Sequence, residues 1–112
     1  MAVYVSNIVI EQGYDFETSF QLADTRTNSS LDLRNTSTQA QLRKHYSSTS
    51  AVSFAASVTN PIQGQITIEL DASQTNDLKP GRYVYDIKII TLNGSEYKAV
   101  EGAALVRAGV TR

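Results

Sequence analysis

The chain has 112 residues, no Cys, 10 Lys plus Arg against 11 Asp plus Glu, and a formal charge of −1. That length suits one domain, residues 1–112, with enough surface to bury to fold without staples. Without Cys there are no disulfides and no thiolate metal sites, and the near-zero charge disfavours a non-specific nucleic-acid binder.

Ser and Thr number 12 and 11, while charged residues make up 19%. This is the composition of a β protein with polar outer faces. The start, "MAVYVSNIVIEQG", lacks the basic region and long apolar core of a signal peptide. No run approaches the roughly 18 apolar residues of a membrane helix, so no membrane partner is expected.

The first strand is predicted over residues 2–11. Tyr4, Ile8 and Ile10 share one parity and Val3, Val5 and Val9 the other, so both faces want cover. The sequence leaves two solutions: a central place in its own sheet, or packing against a partner at an exposed edge. "YDFETSFQL" alternates, with Phe16, Phe20 and Leu22 inward. "ADTRTNSSLDLRNTS" is a turn-rich connection that Leu31 and Leu33 tack to the core. "TQAQLRKHY" places Ala40, Leu42 and Tyr46 inward, with Lys44 reaching for water at the strand end. "AVSFAASV" offers Val52, Phe54, Ala56 and Val58 on one face. "QITIEL" turns Ile66, Ile68 and Leu70 inward.

"DASQTNDLKPG" predicts a short helical turn near Ser73 to Leu78, capped by the Ser73 hydroxyl and closed by Pro80-Gly81. "RYVYDIKII" and "SEYKAVEGAALV" then form a hairpin about Asn93-Gly94, read as a two-residue type I′ turn. In that register Tyr83 faces Ala104, Tyr85 faces Gly102, Ile87 faces Val100 and Ile90 faces Tyr97. Asp86 faces Glu101, a like-charge pair that calls for a bulge near Gly102 to separate them or a cation supplied by a partner. Tyr83, two residues after a turn glycine, fits a tyrosine corner, and Tyr85 falls where antibody domains place a Cys of their bridge. About seven short strands with turns between them predict an all-β, immunoglobulin-like antiparallel sandwich, with a small barrel as the alternative. The predicted core includes Phe16, Phe20, Leu42, Phe54, Ile66, Ile68, Tyr83, Tyr85, Ile87 and Val100.

Chemistry is not legible in the chain. The one His, His45, lies on a polar face beside Arg43 and Lys44, and the carboxylates are scattered, so catalytic, metal and cofactor sites are all assigned as none. The basic cluster "QLRKHY" alternates across two faces and makes no nucleic-acid stripe. A small-molecule ligand is disfavoured. The outer face of the closing hairpin is another matter. Val84, Ile90, Tyr97, Ala99, Ala103 and Leu105 read as one apolar stripe, which a monomer does not usually leave in water. With Val3, Val5 and Val9 of the first strand, Val84, Ile90, Tyr97 and Leu105 are the candidate protein interface, centred on Ile90 and Tyr97. A loop over residues 24–35 folding across this face is the intramolecular alternative.

The run "ITIELDASQTNDLKPGRYVYDIKI", then "NG", "EGAALV" and a terminal "VTR", resembles a group of short structural proteins of tailed bacteriophages and prophages. The earlier "FQLADTRTNSSLDL" and "AQLRKHY" are similar to that group's opening strands. The resemblance spans residues 16–112. It implies an immunoglobulin-like fold similar to the N-terminal domain of phage baseplate upper proteins. It implies a non-enzymatic module of tail, baseplate or neck, located in the virion and made in the host bacterial cytoplasm. Its partners would be other virion proteins or further copies of itself. A capsid decoration protein and a carbohydrate- or receptor-binding sandwich are the competing readings.

Overall fold

In a computed structural model, residues 4–24, 29–30 and 33–110 are described. The strands are β1 (Tyr4–Val5), β2 (Ile8–Glu11), β3 (Phe16–Gln21), β4 (Ala23–Asp24), β5 (Ser29–Ser30) and β6 (Ser37–Arg43). After them come β7 (Val52–Ser53), β8 (Ala55–Asn60), β9 (Gln65–Leu70), α1 (Ala72–Asn76), β10 (Gly81–Ile90) and β11 (Glu96–Arg107). One sheet runs β1-β11-β10-β6-β7, with β2 also on β11; the other runs β3-β9-β8, and β4 pairs only β5. The chain is an all-β sandwich. Its strand order places β9 between β3 and β8 and β10 between β6 and β11, the immunoglobulin arrangement.

The sandwich is not wholly antiparallel. β1 and β2 run parallel to β11, with Tyr4 beside Val100 and Ile8 beside Ala104. The first strand is therefore a sheet edge, neither central nor free. Ile8 and Ile10 enter the core while Val5 and Val9 face outward. The run "AVSFAASV" is likewise not one strand. β7 pairs with β6, β8 pairs with β9, and the chain changes sheets at Phe54. Phe54 joins the layers there, its ring 6.1 Å from Phe16 and 6.3 Å from Tyr85.

Leu42, Phe54, Ile66, Ile68, Tyr85, Ile87 and Val100 are buried, as their alternation predicts. Phe16, Phe20 and Tyr83 are only partly buried. For the two phenylalanines the reason is position: β3 is an edge, so among the described residues no strand pairs beside them on one side. Tyr46 is exposed because β6 ends at Arg43 before reaching it. Leu33 is buried; Leu31 lies outside the described residues.

Asp71, not Ser73, caps α1. Its carboxylate accepts the Gln74 N–H at 2.8 Å while the Gln74 side chain accepts the Asp71 N–H, a reciprocal capping box. Ser73 Oγ donates to the same carboxylate. The Gln74 N–H first, and the Ser73 hydroxyl next, hold the Asp71 carboxyl below its ordinary value. Thr75, fully buried, ties α1 to the first turn: its hydroxyl donates to the Tyr14 carbonyl and accepts the Gly13 N–H.

The tyrosine corner is present. Tyr83 Oη donates to the Lys79 carbonyl at 2.7 Å, and the Lys44 ammonium lies 4.7 Å over the Tyr83 ring. Tyr85 does more than fill space. Its hydroxyl donates to the Ser6 carbonyl at 2.5 Å, pinning the parallel edge to the core. Burial pushes the Tyr85 phenol above its ordinary value. Turning the Ser6 carbonyl inward interrupts the edge ladder, and the Asn7 side chain fills the gap by accepting the Ala103 N–H at 3.0 Å. Gly102 permits this crossing, because a Cβ there would lie 2.1 Å from the Ser6 oxygen.

The hairpin register holds from Tyr83–Ala104 to Ile87–Val100 and then slips by one. The loop is the cause. Thr91 accepts the Gly94 N–H and pairs with Ser95, so the loop is residues 92–94: a type I turn followed by Gly94 at φ 88°. The Asn93-Gly94 type I′ turn is thus corrected, since Asn93 does not take positive φ. A three-residue loop would turn Val100 and Val106 outward. The bulge at Ala99 restores their parity, and Ala99 and Val100 are both buried.

Candidate functional site

The outer face of the six-stranded sheet can be built row by row from the register. One row carries Arg82, Leu105 and Val9; the next carries Arg43, Val84 and Ala103; a third carries Gln41, Asp86, Glu101 and Val5. Four candidate residues therefore gather at one end of this face. Val9 and Leu105 are neighbours with 49% and 43% of their surface exposed, Val84 sits one row away, and Val5 is 75% exposed beyond Glu101. Val3 lies outside the described residues.

Ile90 and Tyr97 do not join them. The bulge sets Ile90 opposite Glu96 and Tyr97 opposite Ile89, whose side chain is in the core. Tyr97 thus belongs to the inner side of the sheet, near the hairpin tip. Ile90 stays on the outer face, but two charged rows separate it from Val84. The predicted stripe is one apolar patch and a lone Ile90, flanked by Glu96 and Ser37, with a charged belt between them, and Ala99 is wholly buried rather than part of it.

The belt follows from the same bulge. Strict alternation from Val100 would point Lys98 into the core; the extra residue turns it outward. Lys98 Nζ then lies 3.3 Å from Glu101 Oε2 and 3.6 Å from Asp86 Oδ2. The like-charge pair Asp86–Glu101 is directly opposed, with no bulge near Gly102 to separate it, and its cation comes from this same hairpin rather than from a partner. Its hydrogen bond to Glu101, and after that its attraction to Asp86, raise the Lys98 ammonium above its ordinary value. Lys88 pairs with Glu96 at 2.8 Å. Apolar side chains beside fixed charges of both signs can make a protein contact with a defined register.

The basic cluster is local scaffolding. Arg43 donates to the Ser48 carbonyl and to Gln41, and the His45 backbone N–H donates to the Ser48 hydroxyl. Among the described residues no three His, Cys, Asp or Glu side chains gather as a metal site. The contacts that sequence reading missed are Ser6, Asn7 and Lys98. The signal for Lys98 was available: a lysine on core parity marks a change of phase.

No family model matches the chain, and no curated protein matches it. Among solved structures it is similar to the Listeria monocytogenes internalin-like protein lmo2027, at 20% identity and a TM-score of 0.48. The match covers 90% of this chain and 27% of that one.

Proposed function

We propose that the chain is a non-enzymatic structural module of a tailed-bacteriophage particle, placed in tail, baseplate or neck and working through protein–protein contacts. The observation that carries this reading is the outer face of β11, β10 and β2. There Val9, Leu105, Val84 and Ala103 form an apolar patch beside the Asp86–Lys98–Glu101 belt. An assembly module needs such a surface: apolar area supplies affinity, and flanking charges of both signs fix orientation. The sequence resemblance over residues 16–112 supports the address. The tyrosine corner and the Tyr85–Ser6 tie support the mechanical side, since both stiffen the sheet that presents the patch.

Immunogold labelling of purified particles with antibody against this chain tests the proposal. Label at the tail, baseplate or neck is the expected result. Label over the capsid would move the module to head decoration. Particles without label would overturn the assignment.

A further inference from the structure

A different surface carries an inference that does not depend on the particle assignment. Among the described residues the sheet β3-β9-β8 has no strand on the β3 side. Leu22 N–H bonds the Gly64 carbonyl, so by alternation Phe16, Thr18 and Phe20 direct their backbone groups to β9. Glu17, Ser19 and Gln21 then direct theirs to an open edge. Across that edge lies β2, itself the edge of the other sheet. Between the two runs a cleft of 540 Å³, floored by Ile8, Phe16 and Thr18 and rimmed by Glu11, Asp15 and Glu17. Phe16 and Phe20 pack on the core yet are only partly buried along β3, and Phe16 lines the cleft.

The charges supply the second half of the argument. Among the described residues two like-charge carboxylate pairs lie directly opposed across strands on the outer faces. Asp86–Glu101 holds Lys98 between its members. Glu17–Glu69, directly opposed on β3 and β9, makes no ion pair with a described residue. Opposed like charges destabilise a sheet, and a cross-strand cation reverses the sign. The uncompensated pair adjoins the β3 edge, which no described strand covers. A strand laid on β3 would place a side chain directly beside Glu17 on this face.

We propose that the β3 edge accepts an extended segment of a partner protein by strand addition. That segment carries Lys or Arg opposite Glu17 and apolar residues facing Phe16 and Phe20. Main-chain bonds to residues 17, 19 and 21 give affinity, and the cation gives selectivity. Gln12 and Thr75 fix the turn at one end of the cleft, so its width is preset.

The test uses isotope-labelled full chain and two synthetic peptides in which Lys, or Glu in the control, alternates with Val and Thr. The Lys peptide is expected to shift the amide signals of Glu17, Ser19 and Gln21 and slow their exchange, leaving Thr18 and Phe20 as they were. The Glu peptide should bind far more weakly. Replacing Glu17→Gln and Glu69→Gln should weaken the Lys peptide by roughly two- to fivefold for each carboxylate while keeping the fold. Unchanged exchange at residues 17, 19 and 21 with millimolar Lys peptide would overturn the proposal. Equal binding of both peptides would overturn its charge selectivity. Self-association of the free chain that protects these amides would make the occupant a second copy and overturn the assignment to a different protein.

Discussion

Gly102→Ala tests how the first strand is held. The new Cβ would lie 2.1 Å from the Ser6 oxygen and 2.8 Å from its carbonyl carbon, both backbone atoms. No rotamer change relieves that clash, so the β1–β2 edge must move. Three hydrogen bonds go with it: Tyr85 hydroxyl to Ser6, Ser6 N–H to Glu101 and Ala103 N–H to Asn7. At about 1 kcal/mol each, with the Tyr85 hydroxyl left buried and unpaired, the cost is roughly 3–4 kcal/mol. That is a large part of the roughly 5–15 kcal/mol that holds a small domain folded. Tyr85→Phe alone should cost about 1 kcal/mol. In the double mutant the shared bond is already lost, so the two costs should fall short of additivity by about 1 kcal/mol. Urea unfolding followed by circular dichroism measures all four corners of the cycle. A cost below about 1 kcal/mol for Gly102→Ala, or strict additivity, would refute the account of this edge.

Thr75→Val keeps shape but strands the Gly13 N–H and the Tyr14 carbonyl, and should cost about 2 kcal/mol in the same assay. Gly94→Ala places a side chain at φ 88° and should cost roughly 1–2 kcal/mol without moving the register, as amide exchange along β10 would report. The Lys98 ammonium is raised in the folded state, so its contribution is complete below the unfolded lysine value and is lost as pH rises through the folded one. Lys98→Met should remove that alkaline component from stability-against-pH curves, and the effect should shrink in high salt because the pair is exposed. The Asp71 carboxyl is lowered, so its contribution is present above the unfolded carboxyl value and is lost as pH falls through the folded one. Asp71→Asn, which still caps but does not titrate, should flatten that acid limb.

The fold was legible where local signals agree with tertiary demand. Alternation in β3, β6, β9 and β10 gave their inner faces, and a glycine followed by Tyr83 gave the corner. The core half of the hairpin register was legible because Tyr85, Ile87 and Val100 must all point inward. What escaped depends on partners distant in sequence. Parallel pairing of β1 and β2 with β11 leaves no local mark, since apolar residues on both faces suit a central strand equally well. The strand change at Phe54 keeps its alternation while exchanging neighbours. The helix cap was misplaced by two residues because Asp71 and Ser73 are both good caps, and only the return bond from Gln74 decides between them. The candidate interface was legible in part. Val5, Val9, Val84 and Leu105 share a face as their parity requires, whereas one bulged residue at Ala99 carried Tyr97 to the other side.

The contact role of that face is open to one direct measurement. Val9→Lys and Leu105→Lys place two charges on the apolar patch and leave the core residues Ile8, Ile10 and Val106 untouched. The double variant should melt within about 1 kcal/mol of the parent, since both sites are exposed. Supplied in place of the parent during particle assembly, it should be absent from purified particles when probed with antibody. A folded variant that enters particles at the parent's level would contradict the claim that this face makes the contact.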